Sequence, residues 1–318
     1  MSETIYDQIE NYGLSQKDRK KTMFSKIGVV GCGREGQNIV GITASAGLDV
    51  VFVELSQDKI ETAISRIGRN LDDKIENWGL TAGEKKAIMT RIKGTLNYED
   101  LSDCDFVIEC TRHDTNTGER NTRYRKEVFE KLESVLAPDA IIATNASTVI
   151  VTELAQDLQY KERCISLHFL VTQPEGRILE IVKGLYTSDD VFEKVLVFTK
   201  MIKHEIISVH ESAGLVSLRL FVVMLNEGCQ MLMENVASIE DIDKILTKGW
   251  GYRKGVFRIA DEIGIEKVVA LMENMFREYG DKKYKPNTLL MRLYRAKQFG
   301  LHTGKGFYSY DENGKLIK

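Results

Sequence analysis

From Lys26 onward, short runs of β-branched and aliphatic residues alternate with longer stretches whose apolar positions recur every three or four residues. That alternation is the pattern of strands buried in a parallel sheet and of helices laid over its faces. The runs predict strands near residues 26–30, 50–54, 94–96, 105–108, 140–144, 164–167, 178–182 and 205–208. Beyond His210 the alternation stops. Helical periodicity takes over across 214–234, 238–248, 256–279 and 287–299, with glycines at the joints. The expected fold class is α/β: a doubly wound, mostly parallel sheet within residues 1–211, with 1–24 as a polar N-terminal extension, then a smaller all-helical C-terminal domain over 212–318. The first helical stretch, LVSLRLFVVML, is apolar on more than one face. It is either the central helix of that domain or part of a subunit interface.

Composition narrows the class of protein. At 318 residues the chain exceeds one ordinary core, and 43% hydrophobic residues suffice to bury two. Lys plus Arg (44) nearly balance Asp plus Glu (47), so no global field draws nucleic acid or an anionic membrane, and a small-molecule substrate is expected instead. No uncharged apolar run approaches the roughly 18 residues of a membrane span, and the first residues lack a signal-peptide core. A cytosolic protein is expected. The five cysteines form no CxxC pair, and their odd number fits a reducing compartment better than a disulfide framework. They read as small buried apolar residues, and no metal site is expected.

The segment KIGVVGCGREGQNIVGITASAGLDVVFVE brings in chemistry. Its order is strand, glycine turn, helix, strand, and Glu54 lies 21 residues after Gly33. Gly31 permits the tight turn, Gly33 allows close approach to a pyrophosphate, and Gly36 lets helix and strand pack, while the helix N-terminus attracts negative charge. Glu54 can accept hydrogen bonds from the adenosine ribose hydroxyls. The same carboxylate would repel a 2′-phosphate, and neither Leu55 nor Ser56 can neutralise one. A Rossmann-type domain that prefers NAD to NADP follows, with Arg34, Glu35 and, further along, Asn145 as other cofactor-contacting positions.

Past the next strands come Asn145-Ala146-Ser147-Thr148, then His168 just beyond a strand, then Glu180 inside one. In a doubly wound sheet, ligands collect outside the strands' carboxyl ends, so Ser147 and His168 should face the nicotinamide. An acid within ILEIV is costly to bury unless partnered, and His168 is the obvious partner. Several segments together resemble the 3-hydroxyacyl-CoA dehydrogenase family. They are ATNASTVIVTELA, LHFLVTQPEGRILEIVKG, ASIEDIDKILTKGWGYRKGVF and HTGKGFYSY, and the likeness runs almost the whole chain from Lys26. The resemblance implies catalytic roles for Ser147, His168 and Glu180. His168 is then the base that takes the hydroxyl proton, Glu180 orients its ring and stabilises its charge, and Ser147 binds the substrate oxygen. It also implies a homodimer. Ser147 could equally cap the helix that follows.

The chain departs from that pattern in places. Val171 and Leu218 stand where the family has asparagines that hold the substrate, and each lost amide can remove a few kcal/mol of transition-state stabilisation. Ser217, a helix step of about 100° away from Leu218, is poorly placed to replace one. The loop after the fourth strand carries Arg112, His113, Arg120, Arg123 and Arg125, and Arg125 falls about where the family uses a lysine near the nicotinamide ribose. Arg253 and Lys254 replace part of a proline turn. The added cations could receive a substrate carboxylate. The leading expectation is an NAD(H)-dependent oxidoreductase that interconverts 3-hydroxyacyl and 3-oxoacyl substrates, with an acyl-CoA or a hydroxy acid as its partner. One alternative is a dehydrogenase of a free 3-hydroxy acid, like the gulonate and carnitine dehydrogenases. Another is a catalytically weak NAD-binding or structural protein.

Overall fold

In the computed structural model, which describes residues 23–76, 79–111, 122–170 and 177–317, eight strands form one sheet. They are β1 (Lys26–Val30), β2 (Asp49–Val53), β3 (Ile92–Thr95), β4 (Phe106–Glu109), β5 (Ile141–Thr144), β6 (Cys164–Phe169), β7 (Ile178–Lys183) and β8 (Glu205–His210). The order β3-β2-β1-β4-β5-β6-β7-β8 reverses its direction of growth at β1, which opens a crevice at the strands' carboxyl ends as in a Rossmann-like domain. Every neighbouring pair is parallel except β6 and β7. Strands β4 and β5 are buried at every position, which is why they read as unbroken apolar runs without alternation.

The sheet is covered on both faces by α1 (Arg34–Ser45), α2 (Gln57–Glu76), α3 (Ala82–Met89), α4 (Thr122–Val135), α5 (Val151–Ala155) and α6 (Asp189–Met201). The apolar stripes of α1, α2, α3 and α6 share one core with the sheet, and α4 and α5 share the other. Phe24, assigned by pattern to the polar extension, belongs to the first core: its ring lies 5.9 Å from Phe106 and 5.8 Å from Phe198.

The helical region comprises α7 (Ser217–Met233), α8 (Ile239–Lys244) running into a π-turn, α9 (Val256–Ile263), α10 (Ile265–Tyr279) and α11 (Thr288–Arg295). The periodicity predicted one helix over 256–279. Gly264, at φ 103°, breaks it in two, because an α-helix cannot continue through a positive φ. Helix α7 buries Val222, Leu225 and Cys229 in the helical core while Val216, Leu220 and Val223 remain exposed, so it is the central helix and also presents an outward apolar face.

Two buried acids tie the helical segments together. Asp243 accepts the Phe257 and Arg258 N–H groups at 3.0 and 3.1 Å and the Tyr308 hydroxyl at 2.9 Å, which caps α9. Asp261 accepts the N–H groups of Phe307 and Tyr308 at 2.9 Å each and the Tyr310 hydroxyl at 2.7 Å. Burial pushes both carboxyls above the ordinary range despite these donors. The segments ASIEDIDK and HTGKGFYSY therefore have a structural reason for their composition.

All five cysteines are free and buried, and burial pushes the Cys104, Cys164 and Cys229 thiols up to about 12, so they are inert packing residues. Among the described residues, no helix is long and apolar enough to cross a membrane.

Candidate functional site

The antiparallel step between β6 and β7 sets His168 directly opposite Glu180 in the register. Sequence reasoning put His168 just past its strand. Strand β6 in fact runs on to Phe169, so His168 is a strand residue whose side chain stands beside that of its cross-strand partner. Its Nδ1 lies 2.8 Å from Glu180 Oε2, which leaves Nε2 as the nitrogen available to the cleft.

Glu180 is only 2% exposed, yet it is fully provided with donors. Oε1 accepts the N–H groups of Val216 and Ser217 at 2.9 Å each, and Oε2 accepts the Ser217 hydroxyl at 2.6 Å in addition to His168. Burial pushes this carboxyl up, but the hydrogen bonds from His168 and Ser217 outweigh it and hold the group below its usual range. The acid is thus ionised, and it also satisfies orphan N–H groups at the start of α7.

Ser147 follows β5, and its carbonyl accepts the Gly214 N–H at 2.7 Å, joining the sheet to the helical region. The capping alternative does not hold. Helix α5 starts at Val151 with Ile150 as its N-cap and no side-chain cap. Asn145 is buried, with Oδ1 accepting the Phe169 N–H at 2.9 Å and Nδ2 donating to Glu35 at 3.2 Å, so it links the ends of β5 and β6 to the glycine loop.

In that loop Gly31 takes φ 88°, and Gly33 is the N-cap of α1. A Cβ at Gly36 would stand 2.2 Å from the Gly31 carbonyl oxygen, so any side chain there would force the loop off the helix. The Gln37 amide donates to the Cys32 carbonyl at 2.9 Å, and Glu54 accepts the Cys32 N–H at 2.7 Å, which fixes its carboxylate at the end of β2.

A cleft of about 360 Å³ gathers most of these residues. Its lining includes Gly33, Arg34 and Glu35 of the glycine loop together with Arg125, Asn145, Ser147 and His168. Gly31, Gly36 and Glu54 are not in its lining; they shape the loop behind it. From the helical region come the apolar side chains of Leu218, Phe221, Ile259, Ile263 and Leu271, together with the charged Glu266, Lys267 and Glu273. Arg34 also donates to the Glu262 carbonyl across the cleft.

The added cations have other occupations. Arg125 reaches the cleft, but its guanidinium is paired with the buried Glu109 and donates to the Thr111 carbonyl at 2.6 Å. Arg123 is exposed and pairs with Glu127 one helical turn on. Lys254 pairs with Glu262 at 2.7 Å, and neither it nor Arg253 is among the described residues lining the cleft. Arg112, His113, Arg120 and Val171 lie outside the described residues.

Sequence reasoning missed two residues. Glu109 ends the apolar run FVIE, and the argument that singled out Glu180, an acid too costly to bury alone, applies to it equally. For Ser217 no sequence signal existed, because its role depends on where α7 meets β7.

Residues 26–212 match the family model described as 3-hydroxyacyl-CoA dehydrogenase, NAD binding domain, and residues 214–310 match the one described as 3-hydroxyacyl-CoA dehydrogenase, C-terminal domain. The chain belongs to the 3-hydroxyacyl-CoA dehydrogenase family. It is 33% identical to a 3-hydroxybutyryl-CoA dehydrogenase of Clostridioides difficile, over 90% of this chain and 100% of that one. With a 3-hydroxybutyryl-CoA dehydrogenase of Bradyrhizobium diazoefficiens it shares 30% identity over 91% of this chain and 96% of the relative. Among solved structures, FadB2 of M. tuberculosis superimposes with a TM-score of 0.85 at 28% identity, covering 91% of this chain and 99% of that one. The (S)-3-hydroxybutyryl-CoA dehydrogenase PaaH1 of Ralstonia eutropha gives 0.81 at 31% identity, covering 91% and 100%.

The cofactor of this 3-hydroxyacyl-CoA dehydrogenase family member is NAD. The loop suits that cofactor: close packing of helix on loop at Gly36, a helix N-terminus beyond Gly33, and a fixed carboxylate at Glu54 that disfavours a 2′-phosphate.

Proposed function

We propose that this protein interconverts a 3-hydroxyacyl-CoA and the corresponding 3-oxoacyl-CoA, with His168 as the base, Glu180 as its orienting carboxylate and Ser147 as a ligand of the substrate oxygen. The observation that carries this reading is the His168–Glu180 pair opening on the same cleft as the phosphate-binding loop. NAD, when bound, supplies the acceptor for the hydrogen that leaves the substrate carbon with its electron pair. His168 Nε2 takes the hydroxyl proton, and the charge that develops on the ring faces the ionised Glu180 through Nδ1. Ser147 donates to the same substrate oxygen, and Arg34, Glu35, Asn145 and Arg125 border the cofactor.

The apolar side chains of Leu218, Phe221, Ile259, Ile263 and Leu271 suit an acyl chain, and Lys267 shares the cleft lining with two acids, Glu266 and Glu273. Lys254, a cation that would have recommended the free acid, is paired with Glu262. Following NADH absorbance with acetoacetyl-CoA and with free 3-oxo acids tests this point. Turnover is expected with the thioester, and turnover confined to the free acids would refute the assignment.

In this reading the residues up to 211 hold the cofactor, and 212–318 close the substrate side and form a homodimer. Val216, Leu220 and Val223, exposed on one stripe of α7, supply an apolar face for that contact. Wild-type protein is expected to sediment at twice the chain mass and L220D at the single mass. A monomeric wild type at micromolar concentration would rule the dimer out.

A further inference from the structure

Glu180 Oε2 serves two donors at once. His168 Nδ1 lies 2.8 Å from it and the Ser217 hydroxyl 2.6 Å, while Oε1 is already taken by the two backbone N–H groups of Val216 and Ser217. A carboxylate offers about four acceptor sites, so Glu180 is saturated and neither oxygen has spare capacity. We infer that Ser217 is a positioning residue that divides Glu180 Oε2 between itself and His168, and so sets the pH range over which His168 works as a base. The inference rests on the catalytic reading of the His168–Glu180 pair proposed above.

A short charge-assisted hydrogen bond withdraws electron density from the oxygen that accepts it. Whatever Ser217 takes from Oε2 is unavailable to stabilise the imidazolium of His168. The surroundings make this hydroxyl the adjustable component. His168 is the ionisable group facing Glu180 from β6, α7 offers only backbone N–H groups and this hydroxyl, and β8 places the side chain of Ile207 beside Glu180 in register. The backbone donors cannot be changed by substitution, whereas the hydroxyl can be removed without touching the ion pair. Because Ser217 opens α7, the division of Oε2 also depends on how the helical region sits against the sheet.

The test is an NMR titration of the His168 imidazole, assigned by its absence in H168A, in the wild type, S217A and S217T. Loss of the hydroxyl is expected to raise the midpoint by about half a pH unit, with the acid limb of kcat/KM for 3-hydroxybutyryl-CoA oxidation moving by the same amount. Below the limb that shift is a roughly threefold loss of rate. S217T, which restores the hydroxyl, should return both midpoints to wild type, a rescue that a purely structural role would not produce. An unchanged midpoint in S217A, with H168A inactive, overturns this inference alone. If H168A turns over at the wild-type rate, the catalytic reading itself is overturned. Thermal melts confirm that each variant is folded before titration.

Discussion

Alanine in place of His168 is expected to lower kcat by about three powers of ten in both directions of the reaction, with NADH affinity unchanged within about twofold. Steady-state NADH absorbance measures the first quantity and NADH fluorescence titration the second. The selectivity follows from geometry. His168 lines the cleft, but among the described residues its side chain hydrogen-bonds Glu180 and no residue of the glycine loop. A loss of less than about tenfold would mean that the proton leaves by another route.

Glutamine at Glu180 should cost nearly as much, for a reason the hydrogen bonds supply. Oε1 receives two backbone N–H groups that cannot turn away, so the amide oxygen of a glutamine must occupy that position. Its NH2 is then directed at His168 Nδ1 and Ser217 Oγ. Ser217 can rotate its hydroxyl to accept, but the imidazole can accept at Nδ1 only by carrying its proton on Nε2, where it is no longer a base. A wrong-tautomer effect of this kind can approach the loss of the histidine itself. E180A, which imposes no tautomer, should therefore retain more activity than E180Q, and the reverse order would contradict the argument.

Much of this site was legible in the sequence because the signals were local or strongly periodic. The glycine loop, its helix and Glu54 lie within one βαβ unit, where spacing alone fixes the geometry. All eight strands announced themselves as short β-branched or aliphatic runs, including β3 and β8, which the fold leaves largely unburied. The features that escaped depend on contacts between distant parts of the chain. That His168 lies in β6 rather than beyond it follows from pairing with β7, and a run of residues cannot announce an antiparallel partner. The break at Gly264 hides inside a continuous apolar periodicity, since amphipathicity records which face is buried and not where the backbone turns. Ser217 was discounted as a substitute for a substrate-binding amide. The helix-step argument was sound, but the hydroxyl had a different destination, Glu180. The charged loop is only half legible in the sequence: Arg125, a cation expected beside the cofactor, does line the cleft, but its buried partner Glu109 comes into view only with the fold.

That pair carries the second large expected effect. Replacing Arg125 by methionine should destabilise the protein by about 3–5 kcal/mol and lower Tm by on the order of 10 °C. Glu109 is wholly buried and ends β4 beneath the cleft, where it accepts the Thr111 N–H and the Thr144 hydroxyl at 2.7 Å each, together with Arg125 and the Thr111 hydroxyl. Without the guanidinium those neutral donors must solvate a full charge in a dry site, and this uncompensated carboxylate dominates the cost. Making the acid neutral as well should remove most of the penalty. In R125M/E109Q the amide oxygen can accept from Thr111 while the amide nitrogen donates to the Thr144 hydroxyl, so differential scanning fluorimetry should find Tm recovered by more than half. R125M melting within about 2 °C of wild type would show that the pair contributes little. The double variant also separates the two roles open to Arg125. Asn145, whose N–H is held by the Glu109 carbonyl at 2.8 Å, should be restored with the fold. If NADH affinity then returns along with Tm, Arg125 serves the cofactor only by holding the cleft together. If Tm returns and affinity does not, the guanidinium itself reaches the bound dinucleotide.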